Sequence, residues 1–211
     1  MLHQYDHRFA TYEGCSKEEV DKGQPRPSDE RRESVSYEIQ SRFFVPRETA
    51  EEFKSRKSPY SAVVAGYRDY TSATNERTLI AALMPMGVPM QPLNGIRCES
   101  ARDALMAMAR LNSFAVDYVA RLKTPDIHLN VTIFNQLPGE PLLLDQRDVI
   151  DWRAFIFIRA LVLTVTSGTM LAFARDCGWS GSPFRWDATR RHHLRCELDA
   201  AFFHLYRIPR A

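Results

Sequence analysis

Six polar side chains of this chain have the chemistry that reads the edges of DNA bases. Each lies in or beside a predicted strand end or loop: Arg68, Asn75, Arg77, Lys123, His128 and Asn130. Arginine and lysine donate hydrogen bonds to guanine, asparagine pairs with adenine, and each good base contact contributes about 1 to 3 kcal/mol of discrimination. We therefore take these six residues as candidate DNA-binding residues.

Three of the candidates also have an ordinary structural interpretation. Asn75 suits an Asx turn, and Lys123 suits the C-terminal end of a helix, where the helix dipole favours a cation. Arg77 suits an ion pair with Glu76 or with another nearby carboxylate. For any single residue, the residue type alone favours the structural interpretation, and both interpretations stay open.

Metal-binding residue types occur only in weak patterns. His3, Asp6 and His7 share one face of a helical turn, but the spacing places no further ligand beside them. A second set of metal-competent side chains lies near the C-terminus: Cys177, His192, His193 and Cys196. Histidines and cysteines in such positions more often form hydrogen bonds or pack in the interior. We predict no metal site and no cofactor.

One further pattern imitates a catalytic site. Asp29, followed by Glu52-Phe53-Lys54, resembles the acidic residue and the Glu-x-Lys pair with which nucleases hold a divalent metal. That chemistry needs a rigid apolar strand, whereas Glu52 and Lys54 lie in a charged, solvated run. An adenine methyltransferase would need an Asn-Pro-Pro-Tyr loop and a glycine-rich cofactor turn, and the sequence has neither. We predict no catalytic residues, with a metal-dependent nuclease as the minor alternative.

The stretch 98–138 must position several of the candidate residues. Its apolar residues recur at spacings of four and three, which predicts one buried helical face: Ala104, Met108, Leu111, Ala115, Tyr118 and Leu122. Ser100 is the predicted N-cap and Pro125 closes the far end. Asn112-Ser113 in the middle is compatible with one long helix or with two helices that meet there. The period then changes to two, which predicts a short strand through Leu129, Val131 and Ile133.

The remaining elements complete a mixed fold. Strands are predicted at 35–45, 61–70 and 78–84, an exposed helix at 47–57, an irregular loop at 85–92, and helices at about 152–173 and 187–206. The predicted class is α+β, with a small and mostly antiparallel sheet packed on central helices and a helical C-terminal part. The sheet is assembled from the segments near Val35, Ala62, Thr78 and Leu129.

The composition indicates a globular protein of ordinary charge. The chain has 211 residues and a net charge of +2, which neither argues for a polyanion partner nor excludes one. Its four cysteines form no Cys-x-x-Cys pair and no signal peptide precedes them, so we expect reduced thiols in the cytoplasm. The apolar run from Ala154 to Ala174 is interrupted by Arg159 and several threonines, which predicts a buried helix and no membrane partner.

Several ordered blocks of the sequence resemble one protein family. They are Leu2 to Tyr12, Ser36 to Pro46, Gly66 to Tyr70, Ala73 to Ala81, Leu111 to Arg121, His128 to Asn130 with Gln136 to Pro138, Phe173 to Gly178, Pro183 to Asp187 and Arg195 to Tyr206. The blocks resemble the C-terminal part of large bacterial adenine-specific DNA methyltransferases, namely the type IIG restriction-modification enzymes and the methylases of BREX and DISARM phage-defence systems. That part is similar to the TaqI-like target-recognition domain.

The resemblance implies a DNA-reading module without its enzyme. In the family, the catalytic loop and the cofactor site precede the block matched by Leu2 to Tyr12, and they are missing here. The expected organisation is a junction segment and mobile loop at 1–34, a target-recognition α+β domain at 35–145 and a helical C-terminal part at 146–211. The first hypothesis is therefore a specificity domain that binds double-stranded DNA through phosphate contacts and a few base-reading side chains.

The second hypothesis is an interaction protein. In this case the N-terminal segment and the helical tail dock on a separate methyltransferase subunit, and DNA binds only within the assembly. This hypothesis predicts an exposed apolar patch around Tyr5, Phe9 and Tyr12, which are the candidate partner-interface residues.

Overall fold

The structure, a computed structural model, describes residues 2–22, 25–41, 44–57, 63–85, 93–141 and 150–209. Within these ranges the strands are β1 (Val63–Arg68), β2 (Ala81–Pro85) and β3 (Leu93–Ile96). The helices are α1 (Lys17–Lys22), α2 (Asp29–Glu33), α3 (Arg47–Lys57), α4 (Ala101–Leu111), α5 (Phe114–Lys123), α6 (Val131–Phe134), α7 (Trp152–Thr164), α8 (Leu171–Asp176) and α9 (Ala188–Leu205). The predicted α+β class is confirmed, including its helical C-terminal part.

The predicted central helix consists of two helices that meet at Asn112 and Ser113. The hydroxyl of Ser100 accepts the backbone N–H of Asp103 at the start of α4, and the hydroxyl of Ser113 caps α5 in the same way. The side-chain amide of Asn112 donates to the carbonyl oxygen of Ala81 (2.9 Å) and accepts from its N–H (3.0 Å). The break therefore has a local cause in the serine cap and a tertiary cause in the contact with β2.

The break also changes which face of α5 is buried. Tyr118 and Leu122 are 60% and 69% exposed, so the prediction that they lie in the core is wrong. The two helices do not share a single helical period, because each starts from its own cap. Helix α5 buries Ala115, as predicted, together with three residues outside the predicted face: Val116, Asp117 and Ala120.

The sheet has the order β2-β1-β3, and both pairs are antiparallel. The central strand β1 pairs from Val63 opposite Pro85 to Tyr67 opposite Ala81 on one side, and its other edge carries β3. At Gly66 the backbone of β3 and the side chain of Met84 approach closely. A Cβ atom at this position would lie 2.9 Å from Met84 Cε and 3.0 Å from the carbonyl oxygen of Asn94.

Two of the four segments predicted for the sheet lie outside it. The described part of 35–45 is irregular, and residues 131–134 form α6 rather than a strand, so both strand predictions are wrong. The local reason for α6 is Asn130, whose side-chain oxygen accepts the N–H of Ile133 at 3.0 Å and caps a helical turn. The third strand is β3, which follows the predicted irregular loop, and residues 86–92 of that loop lie outside the described residues.

The charged segment 16–34 contains two short helices. They are α1 and α2, and the predicted mobility of the segment stays a prediction. Ser28 caps α2 through the N–H of Arg31, and the guanidinium of Arg32 lies 4.9 Å from the ring of Trp186. This long-range contact anchors α2 to the C-terminal part and was not visible in a local charge pattern.

The C-terminal part contributes α7, α8 and α9 to the hydrophobic core. The predicted helix 152–173 ends at Thr164, and α8 follows after a short 3-10 turn. The helix ends there because the next residues form other hydrogen bonds. The carbonyl of Val165 accepts the N–H of Phe184, and the N–H of Gly168 donates to the carbonyl of Val35 (both 2.8 Å). The predicted helix at 187–206 is confirmed as α9, which Asp187 caps. One main hydrophobic core joins Tyr5, Leu105 and Phe202. In the described ranges, no helix has both the length and the apolar character needed to cross a membrane.

Candidate nucleic-acid interface

The end of β1 and the loop before α6 are joined by backbone hydrogen bonds. Thr71 donates its N–H to the carbonyl of Ile127 (2.9 Å), and Leu129 donates to the carbonyl of Asp69 (2.8 Å). Between these bonds the ring of His128 meets the ring of Tyr70 edge-on, with centroids 5.2 Å apart. We call residues 69–77 and 126–130 together the loop platform, since they form one continuous surface feature from two distant parts of the chain.

A pair of residues on α5 holds the loop platform in place. The guanidinium of Arg121 donates to the carbonyl oxygens of Ala73 (2.8 Å), Asn75 (2.9 Å) and Glu76 (3.0 Å). The buried carboxylate of Asp117 accepts the backbone N–H groups of Thr78 (2.8 Å) and Leu79 (2.7 Å). Sequence reasoning missed both residues, although their i, i+4 spacing as an acid and a base on one helix was a readable signal.

Four of the six candidate DNA-binding residues are exposed on or next to the loop platform: Asn75, Lys123, His128 and Asn130. Lys123 donates to the side chain of Gln136 at 3.2 Å, and His128 lies 3.5 Å from the carboxylate of Asp69. Asn130 is occupied in part by its capping role. The structure therefore brings these four residues into one neighbourhood, and their contact with DNA stays a prediction.

Arg77 lies in a different environment from the other candidates. Its side chain is 8% exposed, pairs with Asp199 of α9 at 3.0 Å, and lies 3.8 Å from the ring centroid of Phe114. The other carboxylate oxygen of Asp199 accepts the N–H of Phe114 at 2.6 Å. The carboxylate interpretation of Arg77 is the one observed, with Asp199 in place of Glu76, so Arg77 joins α5 to α9.

Arg68 interacts electrostatically with His3 and Arg26, which line a cavity of ≈ 300 Å³ that opens beside the N-terminal segment. Residues from the N-terminal segment, the region of α2, the loop platform and the start of α9 form its wall: His3, Gln4, Asp6, Phe9, Arg26, Asp29, Arg32, Glu76, Trp186, Ala188, Arg191 and Arg195. Burial lowers the pKa of the Arg68 guanidinium, and the positive charge of Arg26 lowers it further. Sequence reasoning did not identify this cavity, because its wall comes from segments far apart in the chain.

Two residues of the cavity wall have lowered pKa values, and burial is the main cause of both shifts. Burial lowers the pKa of His3 from 6.5 to about 4; the carboxylate of Asp6 opposes this shift, and Arg195 and Arg68 add to it. Burial also lowers the pKa of Arg191 to about 10, again against Asp6 and with support from neighbouring arginines. His3 is therefore a neutral ring at pH 7, while the arginines around it remain charged.

The N-terminal segment is an internal part of the fold. The side chain of Arg8 is fully buried and donates to the carbonyl oxygens of Arg32, Ser34, Tyr37 and Thr166 at 2.9 to 3.1 Å. Tyr5 is also buried, so the prediction of an exposed patch is wrong for this residue. Phe9 and Tyr12 are half-buried, and Phe9 stacks on His3 with ring centroids 4.7 Å apart.

The alternative catalytic and metal patterns do not converge in the described residues. No group of three metal-competent side chains is found there. Asp29 accepts a hydrogen bond from the indole of Trp186 at 3.3 Å, whereas Glu52 pairs with Arg56 on another helix. Burial raises the pKa of the Cys177 thiol to about 12, which keeps it protonated and unreactive at pH 7.

A serine, a histidine and a glutamate meet near the 3-10 turn without forming a catalytic triad. Ser167 Oγ lies 3.2 Å from His7 Nε2, and Glu38 approaches the same nitrogen at 3.8 Å. A triad needs the hydroxyl and the carboxylate on opposite nitrogens of the ring. This cluster therefore serves to join the N-terminal segment to the turn.

Comparison of the chain with protein-family models, with curated proteins and with solved structures gave no match. The functional interpretation of the loop platform and the cavity therefore depends on their own geometry and on the residues that form them.

Proposed function

We propose that the chain is a DNA target-recognition module of a cytoplasmic restriction-modification or phage-defence system. It would supply sequence specificity to an adenine-specific methyltransferase and have no catalytic site of its own. The loop platform is the observation that carries this proposal. Two distant chain segments, fixed by Arg121 and by backbone hydrogen bonds, present Asn75, His128 and Asn130 with Lys123 beside them.

The chemistry of this surface suits a duplex. A rigid framework with exposed amide, imidazole and ammonium groups supplies donors and acceptors for base edges, and the ammonium group of Lys123 supplies a cation for a phosphate contact. The ordered sequence blocks that resemble target-recognition domains include three parts of the platform and its support: Ala73 to Ala81, Leu111 to Arg121 and His128 to Asn130.

Selection of duplex DNA from a random-sequence pool, at near-physiological salt, tests this function. We expect a defined short sequence to be enriched by the parent chain and by the control Lys17→Ala, because Lys17 is exposed on α1 outside the platform. If Lys123 contacts a phosphate, we expect Lys123→Ala to weaken binding and to reduce its salt dependence by about one phosphate contact. If Lys123 contacts a base, we expect the variant to relax one position of the enriched sequence. Absence of any enriched sequence with the parent chain contradicts autonomous recognition.

A second function is favoured by an apolar stripe on α5. Phe114, Tyr118 and Leu122 follow one another at i, i+4 and i+8 and are 46%, 60% and 69% exposed. Such a stripe on a helix is typical of a protein-binding face. In this alternative the chain docks through α5 on a separate methyltransferase, and DNA binds only in the complex.

Co-purification with a methyltransferase that lacks its own recognition domain tests whether the chain docks through α5. Docking through α5 predicts that Tyr118→Arg abolishes the complex while Lys123→Ala leaves it intact. Retention of the complex by Tyr118→Arg contradicts docking through this stripe.

A further inference from the structure

The cavity beside the N-terminal segment has the features of a built ligand site. Its wall includes side chains that are more than nine-tenths buried, among them Gln4, Asp6, Trp186 and Arg191. Its volume of ≈ 300 Å³ lies at the lower end of the range of small-ligand pockets, roughly 300 to 1,000 Å³. The site is therefore large enough for a small polar ligand.

The charges of the cavity wall do not cancel one another. The carboxylates of Asp6 and Asp29 lie 3.9 and 3.5 Å from the guanidinium of Arg32. Asp6 also accepts the N–H of Arg8, and Asp29 also accepts the indole N–H of Trp186. Arg26 and Arg195 form no ion pair with a described residue. These two cations lie in the wall together with Arg191, so an anion in the cavity gains their attraction.

Aromatic rings and a helix hold the arginines in position. The guanidinium of Arg26 lies 4.6 Å from the ring centroid of Phe9, and that of Arg191 lies 3.9 Å from the indole of Trp186. Arg191 and Arg195 are one helical turn apart on the first half of α9, whose N-terminal end adds a positive partial charge. The guanidinium groups of Arg26 and Arg191 are thus oriented before a ligand arrives, which lowers the entropic cost of binding.

Two wall residues have buried hydrogen-bonding atoms without a partner in the described structure. Gln4 Oε1 is an unpaired acceptor, although the amide nitrogen of the same side chain donates to the carbonyl of Asn112 at 3.0 Å. Arg32 Nε is an unpaired donor. A ligand that carries both an anionic acceptor and a hydrogen-bond donor would satisfy both atoms.

We propose that this cavity binds the phosphate group of a nucleotide, held by Arg26, Arg191 and Arg195, with a donor group of the same nucleotide on Gln4. The nucleotide is either part of a DNA strand or a free nucleoside monophosphate. The first source rests on the proposed function, whereas the second does not. Glu76 and the two aspartates of the wall disfavour a polyphosphate, because they repel additional negative charge.

Titration of the full chain with inorganic phosphate and with adenosine monophosphate, followed by arginine Nε–Hε NMR signals, tests the site. We expect both ligands to shift the signals of the wall arginines. The double variant Arg26→Gln and Arg195→Gln is expected to weaken binding about tenfold or more, the scale of one or two charge-assisted hydrogen bonds. Arg153→Gln is the matched control, since Arg153 is exposed on α7 outside the cavity.

A competition experiment identifies the source of the phosphate. If duplex DNA displaces adenosine monophosphate, the site belongs to the DNA interface; if both bind together, it takes a free nucleotide. The proposal is overturned if neither phosphate nor adenosine monophosphate binds at millimolar concentration, or if the double variant binds as well as the control. The selection of random duplexes is a separate measurement, so loss of DNA recognition with retained phosphate binding contradicts only the proposed function. Thermal melting checks that the variants are folded.

Discussion

The N-terminal segment and the loop platform carry similar polar side chains in opposite environments. In the segment 2–12, Gln4 and Arg8 are buried and hydrogen-bonded to distant parts of the chain, and the buried carboxylate of Asp6 lies 3.9 Å from the guanidinium of Arg32. On the platform, Asn75 and His128 are exposed on a backbone that other residues hold in place. The segment thus uses its polar groups to join the fold, while the platform leaves them accessible.

This difference shows that residue type alone does not separate structural polar residues from ligand-binding ones. A buried polar group that is left unpaired costs about 1 to 3 kcal/mol, so it is normally satisfied within the protein or, as proposed for Gln4 Oε1, by a ligand. An exposed group on a rigid backbone has no such constraint and can donate to a ligand. Arg77 is buried and paired with Asp199, whereas Lys123 is exposed, although the sequence made both of them candidate DNA-binding residues.

The largest effect is expected for Arg8, the centre of the N-terminal segment. Arg8→Met would remove the donors to four carbonyl oxygens, and we expect a loss of about 3 to 5 kcal/mol of unfolding free energy. Urea denaturation measures this loss, and Arg153→Met on exposed α7 is the control with an expected change under about 0.5 kcal/mol. If Arg8→Met were as stable as Arg153→Met, Arg8 would contribute no more to stability than an ordinary surface residue.

Asp117 is expected to have the second largest effect, and it connects stability to the platform. Asp117→Ala would leave the N–H groups of Thr78 and Leu79 unpaired, for an expected loss of about 2 to 4 kcal/mol. Hydrogen exchange should accelerate at the backbone of residues 71–79 more than in α9. Uniform acceleration throughout the chain would contradict a specific role in holding the platform.

His3 is expected to give the N-terminal segment a pH dependence. Its folded-state pKa of about 4 is below the ordinary 6.5, so the unfolded chain binds a proton first as the pH falls. Stability is therefore full above pH 6.5 and decreases between 6.5 and 4, by about 1 to 2 kcal/mol after an allowance for partial solvent exposure. Urea denaturation at several pH values measures the slope, and His3→Gln should reduce it in this window. An unchanged slope would show that His3 is not the group responsible.

The smallest effect on stability is expected on the platform. Lys123→Ala and His128→Ala should each change the unfolding free energy by less than about 0.5 kcal/mol, because both side chains are exposed. Their effect should appear in DNA binding instead. Substantial destabilisation, measured by thermal or urea unfolding, would place them with the structural residues of the N-terminal segment.

The sequence allowed prediction of those elements whose signals are local. Ser100 caps its helix as predicted, the helix predicted from about Asp187 is observed, and the β-forming residues at 61–70 predicted the central strand. The predicted strand through Val131 failed because a single local competitor, the Asn130 cap, favours a helical turn over a short apolar alternation. The exposure of Tyr118 was missed because a break of two residues resets the helical period.

The sequence by itself determined the fold class, the capped helices and the chemical types of the candidate residues. Only the tertiary structure decided which polar residues are buried, since Arg8 and Thr166 or Arg77 and Asp199 lie more than 100 residues apart in the chain. It also assembled the arginine-lined cavity from segments that share no local pattern. The physical reason is that caps and helical periods act over a few residues, whereas burial and charge pairing depend on whichever segments the packed core brings together.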